Sequence, residues 1–224
     1  IKSKRKITII LNKFLFILLL VYFYIFYFSL IYAKGAEKIG VLYSYENVEA
    51  YKGNNIIGFN KVWKSFLDTF EETYLDYQFL CNISPDTELE DIGLSVIFFP
   101  LAINISQEEK DFLSKFLDEG GSLIVTCGVG PISDNLKDFL SRNGIDIKEN
   151  IIAKQVLMYR IGDILFELPS SNFYSVFEVN RGGKRILARW KEINEIAIGG
   201  NKKIVYIGYS WGQEMDKDKD ATTL

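Results

Sequence analysis

The sequence predicts an α/β fold in which a parallel sheet carries helices on both faces and continues into an antiparallel β extension in the C-terminal half. Two observations lead to this prediction. Up to about residue 144, short apolar runs alternate with segments of helical periodicity, as in parallel strands joined by helices. From about residue 147, apolar runs succeed one another with only turns between them. No linker-like stretch divides residues 34–224, so we expect a single domain there.

Four apolar runs in the first part predict the parallel strands. They cover residues 38–44, 77–81, 94–100 and 122–127, and the third is expected to stop at Pro100. The first run is apolar at almost every position, which is typical of a strand that is buried on both faces.

Three segments have the spacing of amphipathic helices. Residues 60–77 place apolar side chains at intervals of three and four, and residues 106–119 do the same after a capping box formed by Ser106 and Glu109. A shorter helix is predicted to end at Asn143.

The glycine pairs of the second part predict turns between antiparallel strands. They lie in "RGGK", residues 181–184, and in "GGNKK", residues 199–203. We expect the strands around them to extend the parallel sheet rather than to form a second domain.

Residues 1–33 form a separate segment, which we predict to be a signal peptide or an N-terminal membrane anchor. Basic residues precede an uncharged run from residue 14 to residue 33, which is long enough to cross a bilayer. Because the positive charges come first, the positive-inside rule keeps the amino end in the cytoplasm and exports the residues after Ala33. We therefore expect an extracellular domain, or one anchored in the membrane and facing outside, with this segment as the membrane contact.

The exported part is predicted to be acidic. The whole chain has a net charge of −3, and residues 1–33 hold five positive charges and no negative ones, which leaves about −8 on the remainder. An acidic surface repels phosphate, so nucleic acid is not expected as a partner. The chain starts at Ile1 and stops at Leu224 as a helix opens, which we interpret as a fragment of a longer chain.

Two stretches carry a resemblance to a known family. They are "SVIFFPLAINISQEEKDFLSKFLDEGGSLIVTCG" and, after the β-rich section, "RILARWKEINEIAIGGNKKIVYIGYSWG". Together they resemble the class I glutamine amidotransferase-like superfamily, and in particular its non-catalytic branch, such as the trimerisation domain of certain β-galactosidases. The resemblance covers about residues 38–224. It implies a flavodoxin-like sheet and an accessory role in secreted carbohydrate-active proteins.

Cys127 is the candidate nucleophile, because catalytic members of that superfamily place a cysteine in an elbow of the form G-x-C-x-G. Here Val125 and Val129 replace the two glycines, although the strained backbone of an elbow needs small residues. The histidine of the family corresponds to Gly212, two residues before Glu214, and the chain contains no histidine. A thiol of ordinary acidity needs a base or a cation to ionise. We therefore interpret Cys127, Gly212 and Glu214 as degenerate site positions, name no catalytic residue and lean against an enzyme.

Two cysteines in an exported protein raise the question of a disulfide. Cys81 ends the second predicted strand and Cys127 the fourth. In the strand order 2-1-3-4 that is usual for this fold, these ends lie about 14 Å apart. Bridged Cα atoms lie within about 7 Å of each other. The sequence therefore predicts two free thiols.

The remaining motifs favour neither a metal nor a cofactor. "DKDKD", residues 216–220, has the alternation of a calcium loop, but Ala221 stands where a glycine makes the turn. Without histidine a structural zinc site is not expected, and the glycine-rich stretches do not match a nucleotide-binding frame. The carboxylates of Glu108 and Glu109 are expected to face solvent on their helix.

The carboxyl ends of the parallel strands are the best place for a ligand in an open α/β sheet. Aromatic rings and polar side chains are combined there, and such sets can stack on sugar faces while they bond hydroxyl groups. The candidate ligand-facing residues are Tyr43, Tyr45, Glu46, Asn104, Gly128, Gly130, Ser210 and Trp211.

The sequence thus favours a non-catalytic extracytoplasmic interaction or accessory module of a carbohydrate-active protein, with a carbohydrate or a protein as partner. Two alternatives stay open. One is a cell-envelope or carbohydrate hydrolase whose catalytic part lies beyond Leu224 or uses carboxylates such as Glu46 and Glu214. The other is an auxiliary subunit of an exporter complex.

Overall fold

A computed structural model of the protein describes residues 38–54, 59–72, 77–81, 83, 93–151, 155–161, 164–171, 174–180 and 182–209. Their helices and strands are, in chain order, β1 (Lys38–Leu42), α1 (Tyr45–Gly53), α2 (Phe59–Glu72), β2 (Tyr77–Leu80), β3 (Leu94–Ala102), α3 (Gln107–Asp118), β4 (Ser122–Cys127), α4 (Asp134–Arg142), β5 (Ile145–Ile151), β6 (Gln155–Ile161), β7 (Ile164–Ser171), β8 (Tyr174–Val179), β9 (Arg185–Trp190), β10 (Ile196–Gly200) and β11 (Ile204–Ile207).

These strands form one mixed sheet. Its first part has the order β2-β1-β3-β4-β11, and each neighbouring pair in it is parallel. The order then continues as β10-β9-β6-β7 with antiparallel pairs. Strand β8 pairs with β10 and with β5, both antiparallel. The predicted α/β fold, the order 2-1-3-4 and the antiparallel extension of the same sheet are confirmed.

Helices cover both faces of the parallel strands. On one face, Phe112 of α3 and Phe139 of α4 join Ile97 of β3 in a large buried cluster. On the other face, the rings of Phe66 in α2 and Phe98 in β3 have centroids 5.4 Å apart. Because successive side chains of a strand point to opposite faces, neighbouring residues of β3 reach the two helix layers. This explains why the central strands are apolar at nearly every position.

One helix was not predicted. Helix α1 comes directly after β1, with Ser44 as its N-cap accepting a hydrogen bond from the Asn47 N–H. Its buried residues are Asn47, Val48 and Tyr51. The helix escaped sequence reasoning because a polar asparagine occupies its buried face, so the segment lacks an apolar stripe.

The third strand does not stop at Pro100, so that prediction was wrong. Strand β3 continues to Ala102, and its pairing with β4 shifts register between Phe99 and Ala102. Leu101 has a φ of 55° at this irregularity. A proline is tolerated in a strand at a bulge, where the ladder hydrogen bond that it cannot donate is already missing.

The second glycine turn was also misplaced. Gly199 and Gly200 belong to β10, and the turn comes after them. A Cβ atom on Gly200 would lie 2.1 Å from the carbonyl oxygen of Ile204, so this glycine permits a close approach of two strands. The other predicted turn is confirmed at Gly182 and Gly183, whose φ angles are 76° and 82°.

The predicted membrane segment, residues 1–33, lies outside the described residues. Among the described helices, none combines the length and the apolar character that crossing a bilayer requires.

Candidate functional site

The carboxyl ends of β1, β3 and β4 meet at one edge of the sheet, and most of the candidate residues lie there. Tyr43, Tyr45 and Glu46 come after β1, Asn104 after β3, and Gly128 and Gly130 after β4. The other four candidates lie outside the described residues, namely Ser210, Trp211, Gly212 and Glu214. The structure divides the described candidates into two groups, one sealed and one open to solvent.

Asn47 of α1 fastens the loop after β3. Its side-chain amide donates to the carbonyl oxygen of Leu101 at 2.8 Å, and its Oδ1 accepts from the amides of Ile103 at 2.8 Å and Asn104 at 3.0 Å. Only 2% of Asn47 is exposed. A buried amide that bonds three backbone groups in this way fixes them, so it holds the positive-φ backbone of Leu101 and the start of the loop that carries Asn104.

Glu109 joins two helix N-termini, which corrects the prediction that it faces solvent. The Ser44 hydroxyl and the Ser106 backbone N–H both donate to Glu109 Oε2, at 2.9 Å and 3.0 Å, and the predicted capping box is present. The side chain is buried. Burial raises the pKa of its carboxyl group above the ordinary value, and the bonds from Ser106 and Ser44 oppose that shift. Glu109 therefore ties the end of β1 to the start of α3.

Cys127 ends β4 and is completely buried, as expected for a structural thiol. Its Sγ lies 2.9 Å from the Oγ of Ser175 in β8 and 3.2 Å from the carbonyl oxygen of Gly128. The Ser175 hydroxyl also donates to Asn150 Oδ1 at 2.6 Å and lies 3.2 Å from the Tyr206 hydroxyl. The polar groups of four side chains, one each from β4, β5, β8 and β11, thus lie within hydrogen-bonding distance of one another.

The environment of Cys127 disfavours the thiolate. Burial raises the pKa of its thiol to about 11, against weaker opposing effects of the bonds to Ser175 and Tyr206. At neutral pH the group therefore stays protonated, and a protonated thiol is a poor nucleophile.

The two backbone amides after Cys127 are already bonded within the protein. The Gly128 N–H donates to the carbonyl oxygen of Ala102 at 3.2 Å, and the Val129 N–H donates to the Tyr51 hydroxyl at 2.9 Å. Burial raises the pKa of the Tyr51 hydroxyl well above its usual range, so this group remains a neutral acceptor. Acyl transfer needs N–H groups aimed at the oxygen that gains charge, and neither amide is available for that.

Gly128 itself has no space around it. A Cβ atom there would lie 2.4 Å from the Tyr51 hydroxyl, 2.5 Å from the Leu101 carbonyl oxygen and 2.6 Å from the Ile103 side chain. Beyond it, the Gly130 carbonyl oxygen accepts from Asn150 Nδ2 at 3.2 Å. We call the group of Tyr51, Cys127, Gly128 and Ser175 the sealed elbow.

The end of β1 is open and aromatic. Tyr45 is 54% exposed, and its ring meets that of Tyr43 edge-on at 5.3 Å between centroids. The Tyr43 ring in turn lies 5.0 Å from Trp63 of α2, again edge-on, and Trp63 lies 6.4 Å from the exposed ring of Phe79. Each ring is held by the next one. We call Tyr43, Tyr45, Trp63 and Phe79 the aromatic platform.

A polar pair lies at the same strand edge as the aromatic platform. The side-chain amide of Asn104 donates to Glu46 Oε1 at 3.1 Å, and this bond is exposed. Sequence reasoning selected both residues from their positions after the strands. It missed Asn47, Tyr51 and Ser175, whose roles depend on contacts between distant segments.

Both cysteines are free thiols, and they differ in exposure. Cys81 comes directly after the edge strand β2 and is exposed, whereas Cys127 is buried. Within the described part of the chain, no group of three or more His, Cys, Asp or Glu side chains could hold a metal ion. The "DKDKD" segment lies outside that part.

A separate cleft lies between α3 and α4 and has a volume of about 500 Å³. Its lining is polar and includes Lys110 and Arg142, which both pair with Asp138. None of the candidate ligand-facing residues lines it.

Comparison with known proteins identifies the fold. No protein-family model and no curated relative matches the chain. Among solved structures, a β-galactosidase from Bacillus circulans sp. alkalophilus matches 84% of the chain with 31% of its own length, at 14% identity and a TM-score of 0.59. An α-L-fucosidase from Paenibacillus thiaminolyticus matches 82% with 30% of its length, at 10% identity and a TM-score of 0.60. A thua-like protein from Bacteroides uniformis matches 77% with 81% of its length, at 11% identity and a TM-score of 0.54.

The chain therefore spans about a third of the length of the glycosidases that it resembles. At these identities the likeness establishes the fold, an α/β fold shared with part of these enzymes and with about four fifths of the thua-like protein.

Proposed function

We propose that this chain is a non-catalytic accessory module of a carbohydrate-active protein. The observation that carries the proposal is the sealed elbow. The one thiol at the expected position is fully buried with a pKa raised to about 11, and the neighbouring amides donate within the fold. Among the described residues, the groups around this thiol bond one another and burial keeps it protonated, which supports a role without catalysis.

The setting of the fold in the glycosidases supports the carbohydrate part of the proposal. In them the matching region is about 30% of a longer chain, which leaves most of the enzyme outside it. An α/β domain that is part of a longer enzyme chain, and whose described residues hold a buried, protonated thiol at the strand edge, fits an accessory role.

We also propose, from the sequence alone, that the module is exported and either secreted or held at the membrane by residues 1–33. The uncharged run behind a basic start supports this. A reporter enzyme that is active only outside the cytoplasm, fused after Leu224, tests it. Reporter activity that depends on residues 14–33 is expected, and activity that is unchanged when they are deleted contradicts export by this segment.

Alkylation of the thiols tests the absence of catalysis. In the folded full chain carrying Cys81→Ser, we expect iodoacetamide at pH 7 to modify Cys127 more than about 100-fold more slowly than free cysteine, because a thiol with so high a pKa is almost entirely protonated. The matched variant Cys127→Ser retains the exposed Cys81, which should react without unfolding. A Cys127 that reacts faster than free cysteine would overturn the proposal.

A further inference from the structure

We propose that Tyr45, Glu46 and Asn104 form a binding subsite for one ring of a neutral oligosaccharide. The inference deepens the proposed function and rests on it, because it names the ligand class for the open part of the strand edge. The sealed elbow takes no part in it.

The Tyr45 ring is exposed and yet held in place. More than half of its surface is accessible, while the edge-on contacts from Tyr43 and then Trp63 fix its orientation. An aromatic face that is already oriented loses little conformational freedom when an apolar sugar face stacks on it. The helix start at Ser44, bonded to Glu109, fixes the backbone beneath the ring.

Polar groups at the same strand edge as the ring match sugar hydroxyls. Glu46 is the next residue after Tyr45, and its carboxylate is bonded to the Asn104 amide at 3.1 Å in an exposed position. The planar carboxylate and amide retain further acceptor and donor positions, which suit the hydroxyl pair on adjacent carbons of a sugar. The Asn104 backbone is itself held by Asn47, so the pair is built into the fold.

The negative charge of the folded part and the small area of the subsite favour a neutral sugar as the ligand. The chain carries a net charge of −3, and five of its positive charges lie within the first 13 residues, so the folded part is more acidic still. A carboxylate in the subsite adds to the repulsion of phosphate, uronate or nucleic acid. The Tyr45 ring with the Glu46–Asn104 pair also offers much less than the area of about 1,200–2,000 Å² that a stable protein interface buries. A neutral sugar ring satisfies both conditions.

Calorimetric titration of the full 224-residue chain tests the inference. The chain is kept in a detergent without a sugar headgroup because of its apolar N-terminal run. The probes are hexasaccharides of β-1,4-linked glucose, mannose, xylose and galactose, with hexagalacturonate as the anionic comparison. We expect at least one neutral probe to bind more tightly than hexagalacturonate.

Matched variants locate the binding. Tyr45→Ala should weaken the affinity for the bound probe about tenfold, whereas Tyr45→Phe keeps the ring and should stay within about twofold. Asn104→Ala should also weaken binding. Ile193→Ala removes an exposed apolar side chain from another part of the surface and should change nothing.

Each other outcome overturns the inference. It fails if no neutral probe binds, if hexagalacturonate binds best, or if Tyr45→Ala binds as tightly as the wild type. The proposed function fails separately, by rapid alkylation of Cys127, and that result does not depend on any titration. A chain with an inert Cys127 and no sugar affinity would therefore retain the accessory role and lose only this ligand.

Discussion

The two halves of one sheet edge differ in what they do with their polar groups. At the end of β4, the thiol, hydroxyl and amide groups of the sealed elbow bond to one another and exclude solvent. At the ends of β1 and β3, the polar groups that shape the backbone are equally well bonded, but an aromatic ring and a carboxylate–amide pair remain outside. The same edge thus contains a closed structural centre and an open surface.

The two regions differ in how easily their polar groups can reach a ligand. Polar groups that are all hydrogen-bonded within the protein are poor binding or catalytic groups. A substrate would have to break those hydrogen bonds to reach them. An exposed surface built on a rigid base carries no such cost. Substitutions in the two regions should therefore differ in their effects on stability.

The largest effect is expected from filling the sealed elbow. Gly128→Ala places a Cβ within 2.6 Å of three neighbours, one of them a backbone carbonyl oxygen, so it should lower the free energy of unfolding by about 2–4 kcal/mol. Gly53→Ala is the control, because its Cβ meets nothing within 4 Å at the end of α1. Urea unfolding of both variants measures the difference, and equal stabilities would show that the elbow has space.

A smaller loss is expected when the central hydroxyl is removed. Ser175→Ala leaves Cys127, Asn150 and Tyr206 without their shared partner, which should cost about 2 kcal/mol. The control is Ser114→Ala, whose hydroxyl bonds only the preceding turn of its own helix. Thermal unfolding of both variants measures the two changes in the free energy of unfolding. A Ser175 variant as stable as the control would contradict a closed network.

Substitution of Glu109 should change the free energy of unfolding in two ways, through lost hydrogen bonds and through its dependence on pH. Glu109→Ala removes the acceptor of the Ser44 and Ser106 bonds and should cost about 1.5 kcal/mol. Glu109→Gln can keep both bonds at its carbonyl oxygen, because they share one oxygen atom.

The pH dependence of stability separates the effect of the Glu109 charge from the effect of its hydrogen bonds. The carboxyl pKa is raised in the folded state above its ordinary 4.5, so the folded protein binds the proton more tightly than the unfolded chain. The stabilisation is therefore complete below pH 4.5 and is lost as the pH rises through the folded pKa. Glu109→Gln should gain stability relative to the wild type over that range, with the exposed Glu108→Gln as control. A difference that does not change with pH would contradict the raised pKa.

The smallest effects on stability are expected when one tyrosine in each region is replaced by phenylalanine. Tyr51→Phe deprives the Val129 amide of its partner and should cost about 1 kcal/mol. Tyr45→Phe alters an exposed ring and should change stability by less than about 0.5 kcal/mol. Equal costs in chemical denaturation would mean that the two sides of the edge do not differ as described.

The regular part of this fold could be predicted from the sequence because its signals are local. Strands β1, β3 and β4 are continuous apolar runs, and α3 combines an apolar stripe with the Ser106 and Glu109 capping box. The absence of histidine and the valines around Cys127 led to the prediction that this thiol is not a nucleophile, and the structure adds that the thiol is buried.

The parts that escaped prediction depend on long-range contacts. Ser175 reaches Cys127 from 48 residues away, and no local pattern marks it as a partner. Helix α1 buries Asn47 because the loop after β3 needs its amide, so an apolar stripe is missing where a helix is present. Burial of Glu109 results in the same way from the position of Ser44.

Amide hydrogen exchange at Gly128 and Val129 measures whether the sealed elbow is closed in solution. In the folded full chain, both amides should exchange as slowly as that of Val125 within β4, because their N–H groups are bonded to Ala102 and Tyr51. Exchange of either amide at the rate of the exposed residue Gly183 would show an open elbow with donors free for a substrate, and it would contradict the proposal that this chain is non-catalytic.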